Sequence, residues 1–172
     1  MQLERPARTK EDVIREFRTA EILGAARRVI AEIGFGEASM ERIAQQAGIS
    51  KGTIYLYFES KEALLIEAWK HGFALLMDRT RAGARRARGA HAKLRAVVEA
   101  GLEHSDDQRA FFESVEDWPL MGSEGASLLR EHLRPQVEAY LHFVAGLIER
   151  GIRGGAFRRI DPRRAARALL EL

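Results

Sequence analysis

The chain has 172 residues, 46% of them hydrophobic and 31% charged, which suits one domain with a substantial core, or one domain and a small module. It contains no cysteine, and this excludes disulfides, thiolate metal sites and cysteine nucleophiles. The net charge is only +3, and basic and acidic side chains balance over residues 1–60, so charge alone does not indicate a nucleic-acid partner.

Apolar residues recur at three- and four-residue steps along most of the chain, and no stretch alternates as a strand would. The sequence therefore predicts an all-α fold. After a flexible, weakly basic arm over residues 1–10, the first helix is predicted to begin near Glu11. It is predicted to end at Gly34 in a left-handed conformation, with Phe35 folded back onto the last turn.

Two short helices are predicted next, each opened by a serine N-cap. The first follows Ser39 and ends at Gly48, and the second follows Ser50 and extends through Phe58. A third cap, Ser60, opens a much longer helix.

The two short helices and the "AGIS" link between them are typical of a helix-turn-helix. Gly48 can supply a turn with φ > 0, and Ile49 can fill the angle between the helices. Ile54 and Phe58 lie four residues apart, so they share the inward face of the second helix.

The opposite face of that helix is predicted to be open. Gly52, Thr53 and Leu56 point outward, with Tyr55 and Tyr57 on the flanks. A hydroxyl, an apolar side chain and a glycine that permits close backbone approach suit the major groove of DNA, which displays donors, acceptors and thymine methyls. The free N–H groups at the start of the helix suit phosphate oxygens.

The helical pattern continues through the C-terminal half. "RAGARRARGA" breaks it, and two helices follow, the second around Phe111. "DWPLMGSEG" is predicted to be a loop, because proline and glycines interrupt the periodicity. A long helix then continues to Ile152, with Pro135 as a kink or as its true start, and a glycine pair ends it. Asp161 is the predicted cap of a last helix that reaches Leu172.

Residues 20–69 closely resemble the DNA-binding region of TetR-family transcriptional regulators. The matching landmarks are "ILGAA", "GF" after the first helix, "IAQQAGISKGTIYLYF" and "SKEALL", which occur together in the right order and spacing. The resemblance implies an N-terminal arm and helix extension at residues 1–15 and a DNA-binding domain at 16–76, with the helix-turn-helix at 39–58. Residues 77–172 are then a helical regulatory and dimerisation domain.

The family implies a sequence-specific transcriptional regulator. We expect a homodimeric repressor that binds double-stranded DNA at a palindromic operator and is released by a small-molecule effector, predicted to be largely apolar. No apolar run approaches the ~18 residues of a membrane span, so a cytoplasmic, nucleoid-associated protein without membrane contact is expected. No cofactor is implied, and the motifs G-x-S-x-G, H-E-x-x-H and G-x-G-x-x-G do not occur, so we do not expect an enzyme. An architectural DNA-binding protein without an effector and, less favoured, a helical enzyme are the alternatives.

Matched position by position, the resemblance implies a set of DNA contacts. Tyr57 and Lys61 are expected on phosphates, and Lys51, Thr53 and Tyr55 near base edges. For Tyr55 and Tyr57, packing between helices is an equally weighted interpretation. The full set comprises Ser39, Ser50, Lys51, Gly52, Thr53, Tyr55, Leu56, Tyr57 and Lys61.

The resemblance also implies an effector cavity and a dimer interface in the C-terminal half. Large apolar side chains that could line the cavity, although core packing is the commoner role for each, are Phe73, Phe111, Phe112, Trp118, Met121, Leu129, Tyr140 and Phe143. The predicted dimer seam on the last helix comprises Ala165, Ala168, Leu169 and Leu172. The histidines lack metal-like pairing, so no metal site is predicted. The basic run over residues 79–95 is interpreted as a solvated helix end rather than a second nucleic-acid surface.

Overall fold

The computed structural model describes residues 9–102 and 122–170, and the side chains of residues 9–102 and 131–170. Over these ranges the ordered elements are all helices, as the sequence predicts. None of the helices in this part of the chain combines the length and the apolar composition needed to cross a membrane.

The first helix, α1, spans Lys10–Glu37 and is interrupted near its end. Thr9 caps it, and the Thr9 and Asp12 side chains each accept a hydrogen bond from the other's backbone N–H. Gly34 has φ 76° and breaks the helical path, after which the Phe35 side chain is buried. The left-handed Gly34 and the packing of Phe35 after it are both confirmed.

Helices α2 (Met40–Gln46) and α3 (Lys51–Tyr55) form the two arms of a helix-turn-helix. Each has its predicted serine cap: Ser39 Oγ accepts from the Arg42 N–H at 3.2 Å, and Ser50 Oγ from the Thr53 N–H at 3.1 Å. Gly48 has φ 68°, which a side chain would disfavour.

Helix α3 is shorter than the sequence predicts. It was expected to extend through Phe58, but the Leu56 N–H bonds to Thr53 and the Tyr57 N–H to Ile54, each three residues back. These bonds tighten the chain into a turn after Tyr55.

Helix α4 spans Lys61–Arg86 and belongs to two hydrophobic cores. Its first half, through Phe73, packs with α1, α2 and α3. From Leu76 onward it packs instead with helices from the C-terminal half. The division of the chain into residues 16–76 and 77–172 stays a prediction, and this change of packing partners is compatible with it.

Three further helices complete the described structure: α5 (Ala90–Leu102), α6 (Gly122–Arg153) and α7 (Pro162–Leu170). The predicted loop at residues 117–125 is wrong over its last four residues, because α6 already begins at Gly122. A helical glycine costs only about 1 kcal/mol relative to alanine, which a long helix tolerates. Pro135 likewise lies inside α6 and is not its start. The helix expected around Phe111 lies outside the described residues.

Helix α7 packs against α6 through a short apolar face. Ala166 is fully buried, and Leu169 and Leu170 are partly buried against the second core. Asp161 caps the helix as predicted, since its Oδ1 accepts from the Arg163 and Arg164 N–H groups at 2.9 and 3.1 Å. The hydrogen bond from the Arg164 backbone is the main reason that the pKa of Asp161 is lowered.

The two glycines Gly151 and Gly146 of α6 should respond oppositely to alanine. A Cβ at Gly151 would clash with the ring of Phe157, so Gly151→Ala should destabilise the protein by about 1–3 kcal/mol through overpacking. A Cβ at Gly146 would meet only the end of the Arg150 side chain, at 3.4 Å, so Gly146→Ala should stabilise by about 0.5–1 kcal/mol. Urea unfolding measures both, and equal effects would show that the Phe157 contact does not constrain this end of α6.

Candidate nucleic-acid interface

The orientation of α3 is set by two buried side chains. Ile54 is 0% exposed and Phe58 is 7% exposed, and both belong to the first core. Leu56 and Tyr55 lie on the other side, 76% and 47% exposed. Burying one side this completely fixes which residues the other side presents, and α3 with the turn that follows it presents a large apolar and an aromatic side chain to solvent.

Small and hydroxyl side chains occupy the start of this open face. Ser50 Oγ and Thr53 Oγ1 lie 2.8 Å apart, and Gly52 is exposed beside them. A Cβ at Gly52 would meet nothing closer than Ser50 Oγ at 3.9 Å, so nothing in the chain's own packing requires glycine there. Ser39 is also exposed, but its hydroxyl already caps α2.

The two tyrosines of the turn differ in burial. Tyr57 is partly buried and packs against the first core, whereas Tyr55 is exposed. Packing therefore accounts for the position of the Tyr57 ring and does not account for that of Tyr55.

Lys51 forms an ion pair with Glu41 across the helix-turn-helix. Its Nζ lies 2.5 Å from Glu41 Oε1, and both side chains are more than half exposed, at 59% and 63%. The hydrogen bond to Glu41 raises the pKa of Lys51 above its ordinary value. Glu41 lies in the first turn of α2, where an acidic side chain is favourable. The ten-residue separation from Lys51 gives no local signal of the pair.

Lys61 is held by the protein itself. Its Nζ donates to the carbonyl oxygens of Phe35 and Ala38, both at 2.9 Å, and reaches that of Gly36 at 3.4 Å. The same ammonium lies 4.2 Å from the centroid of the Phe35 ring. Lys61 thus differs from Lys51, whose ammonium lies on the exposed surface of the helix-turn-helix.

The described residues of the predicted effector set pack in the two cores, and their place in an effector cavity stays a prediction. Phe73 is buried in the first core, with its ring 5.9 Å from that of Trp69. Tyr140 is buried in the second core, and Phe143 is partly buried there. Two concave surfaces of the described structure have other linings, one at the junction of α4 and α5 and one between α3, α4 and His132. Phe111, Phe112, Trp118 and Met121 lie outside the described residues, as does the side chain of Leu129.

The predicted dimer seam on α7 is mostly turned toward the chain's own core. Ala165 and Leu169 are partly buried against the second core, and Ala168 is exposed. Leu172 lies outside the described residues. In the part of the chain with described side chains, no group of three or more potential metal ligands occurs.

Comparison with known proteins identifies relatives along most of the chain. The family "Bacterial regulatory proteins, tetR family" matches residues 22–68, which include α2 and α3. The fatty acid metabolism regulator protein of Bacillus subtilis is 31% identical over 152 residues, which are 87% of this chain and 76% of that protein.

Two solved structures have the same fold. The fatty acid degradation regulator FadR from Bacillus halodurans is 29% identical, with a TM-score of 0.72, covering 90% of this chain and 78% of its own. FadR from Bacillus subtilis, solved in complex with stearoyl-CoA, is also 29% identical, with a TM-score of 0.68, covering 88% of this chain and 81% of its own.

Substituting Gly52 tests whether glycine is needed at this position for DNA binding and not for folding. Because a Cβ there meets open space, Gly52→Ala should leave the free energy of unfolding unchanged or raise it by about 0.4–1 kcal/mol. If the backbone of α3 closely approaches a duplex, the same methyl should weaken DNA affinity about tenfold or more. Gly101→Ala, also in open space but on α5, is the control and should leave DNA affinity unchanged. Unchanged DNA affinity for Gly52→Ala would show that α3 does not make a close backbone contact.

Because Glu41 pairs with Lys51, we predict that removing the Glu41 carboxylate raises the affinity for DNA. Glu41→Gln frees the Lys51 ammonium and removes a negative charge near the phosphates, so affinity at low salt should rise about threefold to tenfold. Glu138→Gln removes the same charge from the ion pair with Arg163 and controls for net charge. Equal affinities of the two variants, measured by fluorescence anisotropy, would place Glu41 away from the duplex.

Proposed function

The chain belongs to the TetR family of bacterial regulatory proteins, and we propose that it is a homodimeric repressor released from a palindromic operator by a largely apolar small molecule. Its general activity is that of a sequence-specific, DNA-binding transcriptional regulator. The proposal extends this activity to the dimer, the direction of control and the chemistry of the effector.

The open face of α3 is the observation that carries the proposal. A short helix anchored by Ile54 presents Leu56, Tyr55 and the Gly52 backbone outward, next to hydroxyls and a lysine. These groups match what a recognition helix needs in the major groove: apolar contact for thymine methyls, donors and acceptors for base edges, and a cation for phosphates. An interior protein contact would have no need of that mixture.

A homodimer accounts for a palindromic operator, because each subunit would bind one half-site. Two α3 helices would have to enter successive major grooves on one side of the duplex, with centres about 34–36 Å apart. Among the described residues of the predicted seam, the exposed Ala168 is available to a partner subunit.

Helix α4 connects the proposed effector site in the second core to the helix-turn-helix. Because its two halves belong to different cores, a ligand inserted into the second core can tilt α4 and change the separation of the recognition helices. The effector shifts DNA affinity only by as much as it prefers the released conformation.

A long-chain acyl thioester is the first effector class to test. The support is the structure of Bacillus subtilis FadR with stearoyl-CoA, 29% identical to this chain. The apolar effector predicted from the sequence agrees with the acyl part of such a ligand. We infer a regulator without a catalytic role, since the curated relative is named a regulator.

Selection of bound genomic fragments, followed by titration, tests the proposal. The purified protein should enrich fragments that share one palindrome, and stearoyl-CoA should lower its affinity for that palindrome about tenfold. Coenzyme A alone and free stearate are the controls for the head group and the acyl chain.

Each outcome bears on a different part of the proposal. Enrichment without a shared sequence, with a steep salt dependence, would support the architectural alternative. A shared palindrome whose affinity is unchanged by stearoyl-CoA, when calorimetry shows that this ligand binds, would remove the release mechanism and leave the DNA-binding role intact.

A further inference from the structure

We propose that the first three turns of α1 are an interface between two copies of this chain, which pair antiparallel through Val13, Ile14 and Phe17. The contact is separate from the predicted dimer seam on α7, so it joins two dimers where that seam forms one. It goes beyond the proposed function and does not require DNA.

The start of α1 extends beyond the first core. The side chains of residues 10–18 are all exposed, and burial begins only at Ile22. Val13 and Ile14 are each 52% exposed, and Phe17 is 64% exposed. These three residues are one and four positions apart, so they form one apolar stripe along the helix. A lone exposed apolar side chain is ordinary, but a contiguous group of them marks an interaction site.

Local interactions keep this segment helical without a partner. Thr9 and Asp12 form a capping box at its first turn. Arg18 Nη1 lies 2.8 Å from Glu21 Oε2, an ion pair three residues apart on the helix. A segment that is already helical loses less conformational entropy on association than a flexible one does. The stripe is therefore presented on a preformed helix.

The charges of this segment do not suit an anionic partner. Residues 10–21 contain three basic and four acidic side chains, a net charge of −1. A DNA backbone or an anionic membrane attracts segments with a basic excess, and this segment has none. A partner with charges of both signs is needed.

The two ends of the stripe carry opposite charges. At 100° per residue, Lys10 and Glu21 lie on the same side of the helix as Phe17, one at each end. Consider an antiparallel pair whose two-fold axis passes between positions 15 and 16. Lys10 then lies opposite the partner's Glu21, and Ile14 lies opposite the partner's Phe17. The segment is thus complementary to itself, as a two-fold interface between identical chains requires.

The contact is small and therefore weak. Three large apolar side chains from each copy bury much less than the ~1,200–2,000 Å² of a standard interface. Arg18 comes within one turn of the partner's Glu11 on one flank, but the two Glu16 side chains approach each other on the other flank. Pairing is expected at high protein concentration, or where DNA holds two dimers side by side at an effective concentration of about mM. Under the proposed function, it makes binding to adjacent operators cooperative.

Sedimentation equilibrium without DNA tests the pairing with Phe17→Ser. Phe17 lies outside both cores, and serine has a similar helix propensity, so the variant should keep the fold. The wild-type protein should show a concentration-dependent association step, and Phe17→Ser should lower its association constant tenfold or more. Leu102→Ser removes a similarly exposed apolar side chain from α5 and should leave the constant unchanged. No such step up to about 1 mM, or one that Phe17→Ser leaves unchanged, would overturn the proposal.

Because the chain contains no cysteine, single introduced cysteines test the register. A mixture of Lys10→Cys and Glu21→Cys proteins should form a mixed disulfide under mild oxidation, since antiparallel pairing places these positions opposite each other. Each variant alone should form little disulfide, because its two cysteines lie about 16 Å apart along the helix axis and a disulfide needs Cα atoms within ~7 Å. Preferred bridging of Lys10→Cys to itself would show parallel pairing and contradict the register.

Charge reversal shows whether the partner is a second copy. Lys10→Glu should weaken the association about threefold to tenfold, and adding Glu21→Lys to the same chain should restore it. A double variant that associates no better than Lys10→Glu would show that these charges do not pair between copies. All three measurements are made without DNA, so they decide this proposal whether or not an operator is found. Loss of the association with operator binding intact would leave the proposed function unaffected.

Discussion

The complete burial of Ile54 determines how α3 faces the solvent. With this side chain in the first core and Phe58 closing the following turn, α3 cannot rotate without exposing them. Exposing a buried isoleucine would cost on the order of 1.5–3 kcal/mol in lost hydrophobic stabilisation. The same constraint keeps Leu56 and Tyr55 in water. Single exposed apolar residues are ordinary, but here two stand beside a glycine, two hydroxyls and a lysine on one anchored helix.

The first core also joins the helix-turn-helix to α4, the helix that the proposed release mechanism tilts. Besides the Lys61 contacts, α1 and α4 are joined where Arg27 Nη1 donates to His71 Nδ1 at 2.8 Å. Burial is the main cause of the lowered pKa of both groups. The charge of Arg28 also lowers the pKa of Arg27, and the charge of Arg27 lowers that of His71. Since a lowered pKa keeps His71 neutral, its Nδ1 is available as the acceptor that Arg27 needs. The helix-turn-helix and the first half of α4 thus form one packed unit, and α4 extends from it into the second core.

Features that depend on neighbouring residues were predictable from the sequence, and features that depend on distant partners were not. The serine caps, the left-handed Gly34 and Gly48 and the inward pairing of Ile54 with Phe58 follow from local chemistry. The sequence does not predict the early end of α3 or the helical Gly122, because small differences between competing backbone hydrogen bonds decide both. The hydrogen bonds of Lys61 could not be predicted, since its partners are backbone carbonyls 23 to 26 residues away and carry no sequence signal.

The central claim is that the outer side of α3 is left open for a duplex, and radical footprinting with and without operator DNA tests it most directly. Tyr55 and Leu56 should be labelled strongly in the free protein and protected when the operator is added. Leu102 and Ile160, 68% and 41% exposed on other helices and turns, should be labelled equally in both states. Undiminished labelling of Tyr55 and Leu56 in a complex that has demonstrably formed would contradict the account.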